Sequence, residues 1–108
     1  MSAAAQAKKN EGNAFFKDKR YKEAIQKYTE AIALDPSDVT FYSNRSACYA
    51  ALDMWNEAAE DGRMCIITDK KFVKGYFRQA IALQNMVTKL AAFIENFCLF
   101  LSLIWLSL

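Results

Sequence analysis

Residues 21–36 read Tyr-Lys-Glu-Ala-Ile-Gln-Lys-Tyr-Thr-Glu-Ala-Ile-Ala-Leu-Asp-Pro. Within this stretch Tyr21, Ala24, Ile25, Tyr28, Ala31 and Ile32 recur three and four apart, which gathers them on one face of an α-helix. Pro36 disfavours helix at the residue before it, so the helix closes at Leu34. The apolar face mixes short side chains with aromatic ones. Two helices cross closely only where side chains are short, and large neighbours then fill the space around the crossing.

The same residue types return outward from this stretch at a period of about 34 residues. Ala24 matches Ala58 and Ala92, Gly12 matches Ser46 and Ala80, and Phe15 matches Tyr49 and Leu83. Tyr21 meets Trp55, and Ala31 meets Cys65. Periodicity predicts helices over Ala3–Lys17, Tyr21–Leu34, a segment capped by Ser37 or Asp38 and running to about Leu52, Trp55–Ile67, and Val73 to about Met86. A turn is expected at 69–71, and a sixth helix is expected to begin near Lys89. Connections of a few residues make consecutive helices antiparallel.

This pattern resembles the tetratricopeptide repeat family, whose units are helix pairs with small residues at two packing positions and often a Pro at the end. The resemblance implies an all-α class, an α-solenoid of helix-turn-helix repeats. Residues 5–38 and 39–72 would be complete units, and a third would start at 73 within a repeat domain of residues 1–87. Three positions depart from the family pattern: Gly62 stands where Tyr28 predicts an aromatic, Lys70 where Pro36 predicts a Pro, and Lys89 where Tyr21 and Trp55 predict an aromatic.

Composition agrees with a single helical domain. The chain has 108 residues, 54% hydrophobic, with only 3 Gly and 1 Pro, which excludes collagen-like, linker-like and most turn-rich all-β architectures. With 0 His it lacks the commonest metal ligand and the usual near-neutral base, and no metal or other cofactor is expected. A net charge of +2 is too small to suggest nucleic-acid binding, which requires neutralising many phosphates. No nucleophile–base pair or phosphate-binding loop is apparent, so no enzyme is expected. Cys48, Cys65 and Cys98 have no metal-type spacing and read as reduced, buried thiols that fill space on helices. With no apolar leader over 1–9, the expected location is cytoplasmic. Glu57, Glu60 and Asp61 are expected to be solvated.

Function is sought on the first helix of each pair, which lines the concave face of a solenoid. Lys9 and Asn13 are four apart on one such helix, and Lys74 and Arg78 four apart on another, so each pair projects to one side. Asn44 lies on the helix between them. Three cations and two amides with no carboxylate among them suit an anion of carboxylate geometry. The Arg78 fork can bond both oxygens of a carboxylate, the lysines act as point charges, and the amides donate without adding charge. A peptide C-terminus ending in Asp offers two such carboxylates, and capture of a terminal carboxylate is a recurrent recognition mode.

The five residues also resemble the two-carboxylate clamp of tetratricopeptide co-chaperones of the chaperone-organising type. They fall within Lys-x-x-Gly-Asn, Tyr-Ser-Asn-Arg-Ser and Lys-Gly-Tyr-x-Arg. The resemblance implies binding of the Glu-Glu-Val-Asp tail of the seventy- and ninety-kilodalton heat-shock chaperones. Phe16, Ala47, Ala50, Ile81, Gln84 and Asn85 are candidates for secondary peptide contacts. Lys8, one residue from Lys9, is expected to face elsewhere.

The last stretch differs in kind. From Phe97 to Leu108 no residue is charged, and apolar residues surround the helix. Residues 88–108 are expected to complete or replace the end of the third repeat. A hydrophobic helix there has three readings: a cap that buries residues 90–108 against a second copy, a membrane anchor, or a replacement of a longer chain by altered transcript processing. The scaffold reading, in which this helix matters most and the groove takes other acidic peptides, stays open beside the co-chaperone reading.

Overall fold

The computed structural model describes residues 2–108 as helices α1 (Ala3–Lys17), α2 (Tyr21–Leu34), α3 (Val39–Ala51), α4 (Trp55–Thr68) and α5 (Val73–Ser107). Caps define the starts of two of them. The Ser2 hydroxyl accepts from the Ala5 N–H at 3.3 Å, and the Asp38 carboxylate accepts from the Thr40 N–H at 2.9 Å. Ser37 is not the cap: its own N–H and hydroxyl donate to the Asp35 carboxylate at 3.2 and 2.6 Å.

The repeat is visible in the hydrogen bonds. The α1–α2 turn closes with the Arg20 N–H donating to the Phe15 carbonyl at 2.9 Å. One repeat length later, the Met54 N–H donates to the Tyr49 carbonyl at 2.8 Å. Tyr42 donates its hydroxyl to the Pro36 carbonyl at 3.1 Å, and Tyr76 does the same to Lys70 at 3.0 Å, so Lys70 serves the turn without the family's Pro.

Both helix turns need a left-handed residue, supplied by Lys19 at φ 60° and Asp53 at φ 63°. The corresponding residue of the third unit is Val87, and a β-branched side chain is strongly disfavoured there. The turn does not form. The expected fifth and sixth helices are instead one continuous helix of 35 residues, with no break near Lys89. Nothing folds back on it, which explains the fate of the repeated small residues. Gly12, Ser46, Ala24 and Ala58 are buried at helix crossings, whereas Ala80 and Ala92 are exposed.

Two apolar clusters hold the first four helices: Ala5, Ala31 and Phe41, and Ala24, Tyr28 and Cys48. Gly12 accommodates the Tyr28 ring, since a Cβ there would lie 2.7 Å from Tyr28 Cε1. Gly62 has a similar reason. A Cβ on it would lie 2.7 Å from the Gln79 backbone nitrogen, so the missing aromatic is what lets α5 approach α4. In an exposed helix Gly→Ala gains about 1 kcal/mol of helix propensity. At Gly62 the obstacle is backbone and cannot rotate away, so Gly62→Ala is expected to lower stability by about 1–2 kcal/mol net, seen as a lower urea midpoint.

Asp61 corrects an expectation. It is buried, not solvated, and its carboxylate accepts from Arg45 Nε at 2.8 Å and Nη2 at 2.7 Å. Arg45 Nη1 also donates to Thr29 Oγ1 at 3.1 Å, so one guanidinium links α2, α3 and α4. Burial pushes the Asp61 carboxyl above its ordinary value, and the Arg45 fork opposes that rise. Glu60 pairs with Arg63 on the exposed side, as a surface residue should. Cys48 and Cys65 are buried as expected, whereas Cys98 is exposed, because no helix folds back on α5.

Candidate peptide-binding groove

Side chains from four helices meet at a cavity of about 130 Å³ lined by Asn13, Phe16, Tyr28, Asn44, Ala47 and Arg78. Three of the five residues expected to hold a carboxylate therefore share one cavity, contributed by α1, α3 and α5. Lys9 lies one turn before Asn13 on α1 and is half-buried, while Lys74 lies one turn before Arg78 on α5 and is exposed. Neither lines the cavity itself; both stand on the helix faces that lead to it.

The amides are pre-set. Asn13 Oδ1 accepts from the Tyr28 hydroxyl at 2.6 Å and from Asn44 Nδ2 at 3.4 Å. With its oxygen occupied twice, Asn13 has only N–H donors left for a ligand. Tyr28 keeps this arrangement at any physiological pH, because burial, with Cys48 nearby, pushes its hydroxyl up to about 12. Tyr28 read in the sequence as a packing residue alone. Its polar role comes from a partner fifteen positions earlier, which helical periodicity does not reveal.

Arg78 is held by one end. Its Nε donates to Ser43 Oγ at 3.4 Å, and among the described residues no protein acceptor takes its two terminal nitrogens. Lys9, Lys74 and Arg78 form no ion pair among the described residues. Lys8 differs, pairing with Glu30 at 3.2 Å and Glu11 at 3.8 Å, so it faces away from the cavity as expected. The cavity thus joins two oriented amides to one guanidinium with free terminal nitrogens, groups that can donate to an anion with two or more oxygens.

Of the secondary residues, Phe16 and Ala47 line the cavity, whereas Ala50, Ile81, Gln84 and Asn85 do not. The Asn85 amide is already donating to the Ile81 carbonyl at 2.9 Å. A larger hollow of about 280 Å³ lies between Asp53, Trp55, Asn56, Met86 and Lys89. Its cation is spent, since Lys89 pairs with Asp53 at 2.6 Å, so it offers no comparable anion site.

Residues 12–53 match the family model described as TPR repeat. The chain is 45% identical over 75 residues to Hsp70-Hsp90 organizing protein 3 of Arabidopsis thaliana, covering 69% of this chain and 13% of that protein. The chain thus spans only a small part of the curated relatives it matches. The TPR2B domain of yeast Sti1, solved as a complex with pHsp70, superposes with a TM-score of 0.76 at 36% identity over 87% of this chain and 74% of that one. The second TPR of Spaghetti (RPAP3), bound to the HSP90 peptide SRMEEVD, gives a TM-score of 0.75 at 30% identity over 88% and 87%. A periodic helix pair, a turn pattern repeated along the chain and structural likeness over most of its length at 30–36% identity have one meaning: the chain belongs to the tetratricopeptide repeat family.

Proposed function

We propose that the chain is a non-catalytic adaptor that grips the C-terminal Glu-Glu-Val-Asp tail of heat-shock chaperones of the seventy- and ninety-kilodalton classes. TPR domains are in general interaction modules without catalysis; of the two solved relatives above, one is a complex with pHsp70 and the other is bound to the HSP90 peptide SRMEEVD. Lys9, Asn13, Asn44, Lys74 and Arg78 form the clamp in this reading. Arg78 takes the final carboxylate or the Asp side chain with its two free terminal nitrogens. Asn13 and Asn44 donate to the same group, and Lys9 and Lys74 supply charge from either side. Phe16 and Ala47 meet the apolar residue before the terminal Asp. Chaperone tails of this kind would be met in the cytoplasm.

The observation that carries the reading is the convergence of Asn13, Asn44 and Arg78 on one cavity whose cation has no carboxylate partner. It is tested by titrating the chain calorimetrically with a Glu-Glu-Val-Asp peptide at rising salt. Partly exposed cations facing two carboxylates are screened within a Debye length of about 10 Å at 0.1 M. Affinity is therefore expected to fall roughly ten-fold between about 0.05 and 0.5 M salt. A salt-independent affinity would assign the binding to apolar contacts instead.

A further inference from the structure

The long helix carries a pattern that peptide binding does not use. Ala80, Val87, Ile94 and Leu101 recur every seven residues, and Tyr76, Leu83, Leu90, Phe97 and Ile104 do so three residues further on in the heptad. These are the a and d positions of a heptad repeat, sustained for more than four heptads without a polar residue. The stripe lies open: Leu83 is 45% exposed, Val87 65%, Leu90 58% and Ile94 51%.

Polar residues obey the same register. Thr88, Lys89, Glu95, Asn96 and Ser102 fall at b and c positions, on the far side from the stripe, and Arg78, Gln79, Gln84, Asn85 and Ser107 fall at e, f and g, so none of them occupies a or d. The repeat domain packs on that far side too, since Gly75 and Ala82, both buried, occupy c positions, and Gly75 sits against Cys65 of α4. Beyond Tyr76, whose hydroxyl donates to the Lys70 carbonyl, the chain's own domain leaves the apolar seam exposed. Its length, Tyr76 to Leu108, is about 48 Å at 1.5 Å per residue.

We propose that the α5 helices of two copies of this chain wind together along this seam as a parallel two-stranded coiled coil. A second copy is the occupant that the register selects. Apolar residues encircle the helix only after Phe97; before it, Gln84, Asn85, Thr88, Lys89, Glu95 and Asn96 all avoid a and d, a restriction that a bilayer does not impose. Val87 and Ile94 at a, with Leu83 and Leu90 at d, are the combination that favours two parallel strands. Parallel pairing also puts the uncharged 97–108 ends against each other and sets both peptide grooves at one end of the assembly. A two-tailed partner could then be held bivalently, with an avidity neither groove has alone. The inference does not depend on the peptide reading.

The test uses the full chain in detergent-free buffer by analytical ultracentrifugation at about 10 µM. The wild type is expected to sediment as two copies. Ile94→Asp, on the seam, is expected to give a monomer, while Leu99→Asp, at an outer f position, keeps the dimer. Circular dichroism establishes that both variants remain helical. A monomeric wild type, or a mass above two copies, overturns the proposal. So does equal loss of association in both variants, or recovery of the wild type only with phosphatidylcholine vesicles, which would point to lipid. Oxidation of Leu83→Cys in a Cys98→Ser background is expected to give a covalent dimer, because only parallel pairing brings the two 83 positions together; absence of the cross-link overturns the orientation.

Discussion

Asp61→Ala is expected to lower the stability of the chain by about 3 kcal/mol, the largest loss among single substitutions outside the apolar core. The carboxylate is 2% exposed and takes two parallel bonds from Arg45, at 2.8 and 2.7 Å. Removing it strands a guanidinium whose side chain is only 18% exposed. Breaking a buried pair costs about 3–5 kcal/mol because the remaining charge is left without a counter-ion. Some access of Arg45 to water puts this case at the lower end. The lost bonds also loosen three helices at once, since the same guanidinium reaches Thr29 on α2. Urea unfolding followed by circular dichroism gives the number. Replacing both partners by apolar residues of similar volume should recover much of the loss, which separates the stranded charge from mere loss of contact. A loss under 1 kcal/mol for the single variant would show that Arg45 finds water easily and that the pair does not organise the fold.

Arg78→Ala is expected to weaken binding of a Glu-Glu-Val-Asp peptide by about 10- to 100-fold, the largest effect of a single change on binding. Hydrogen bonds to charged groups contribute about 1.5–3 kcal/mol each, and every 1.4 kcal/mol is a factor of ten. Arg78 alone of the three cations lines the cavity, and its planar fork can serve both oxygens of one carboxylate. Arg78→Lys keeps the charge and loses the fork, so its affinity should fall between wild type and Arg78→Ala. Folding should change little, because Arg78 makes only one long bond to the rest of the protein, to Ser43. Equal affinities for wild type and Arg78→Ala by calorimetry would remove Arg78 from the site.

Much of this architecture is legible in the sequence. Helical spacing located α1, α2 and α4 to within a residue, because each buries one apolar face and ends at a turn residue or Pro. The repeat period identified the crossing points at Gly12, Ser46, Ala24 and Ala58 for the same reason. The continuity of α5 was not seen. Apolar spacing is indifferent to whether a turn interrupts a helix, and Val87, poorly suited to the left-handed conformation of Lys19 and Asp53, is a signal that the apolar period does not carry. Asp61 is buried where the sequence suggests a solvated residue, and Tyr28 adds a polar role to the packing role that its spacing predicts. Each gains its role from a partner on a different helix, Arg45 and Asn13, and polar pairing across helices leaves no period in the chain. Helical i, i+4 spacing points to the cavity-lining Asn13 and Arg78, while the orientation of the amides depends on the Tyr28 hydroxyl. The stripe on α5 was hidden by the density of apolar residues after Phe97, which masks a seven-residue register that the polar positions before Phe97 make plain.

The central claim is that the groove recognises a free carboxylate at the end of a chain. Calorimetric titration of the full chain with two peptides, Glu-Glu-Val-Asp with a free terminus and the same sequence amidated, tests it most directly. Amidation removes one negative charge and one oxygen acceptor and leaves every side chain intact. The clamp predicts that the amidated peptide binds at least ten-fold more weakly at low salt. Equal affinity for the two peptides would contradict it.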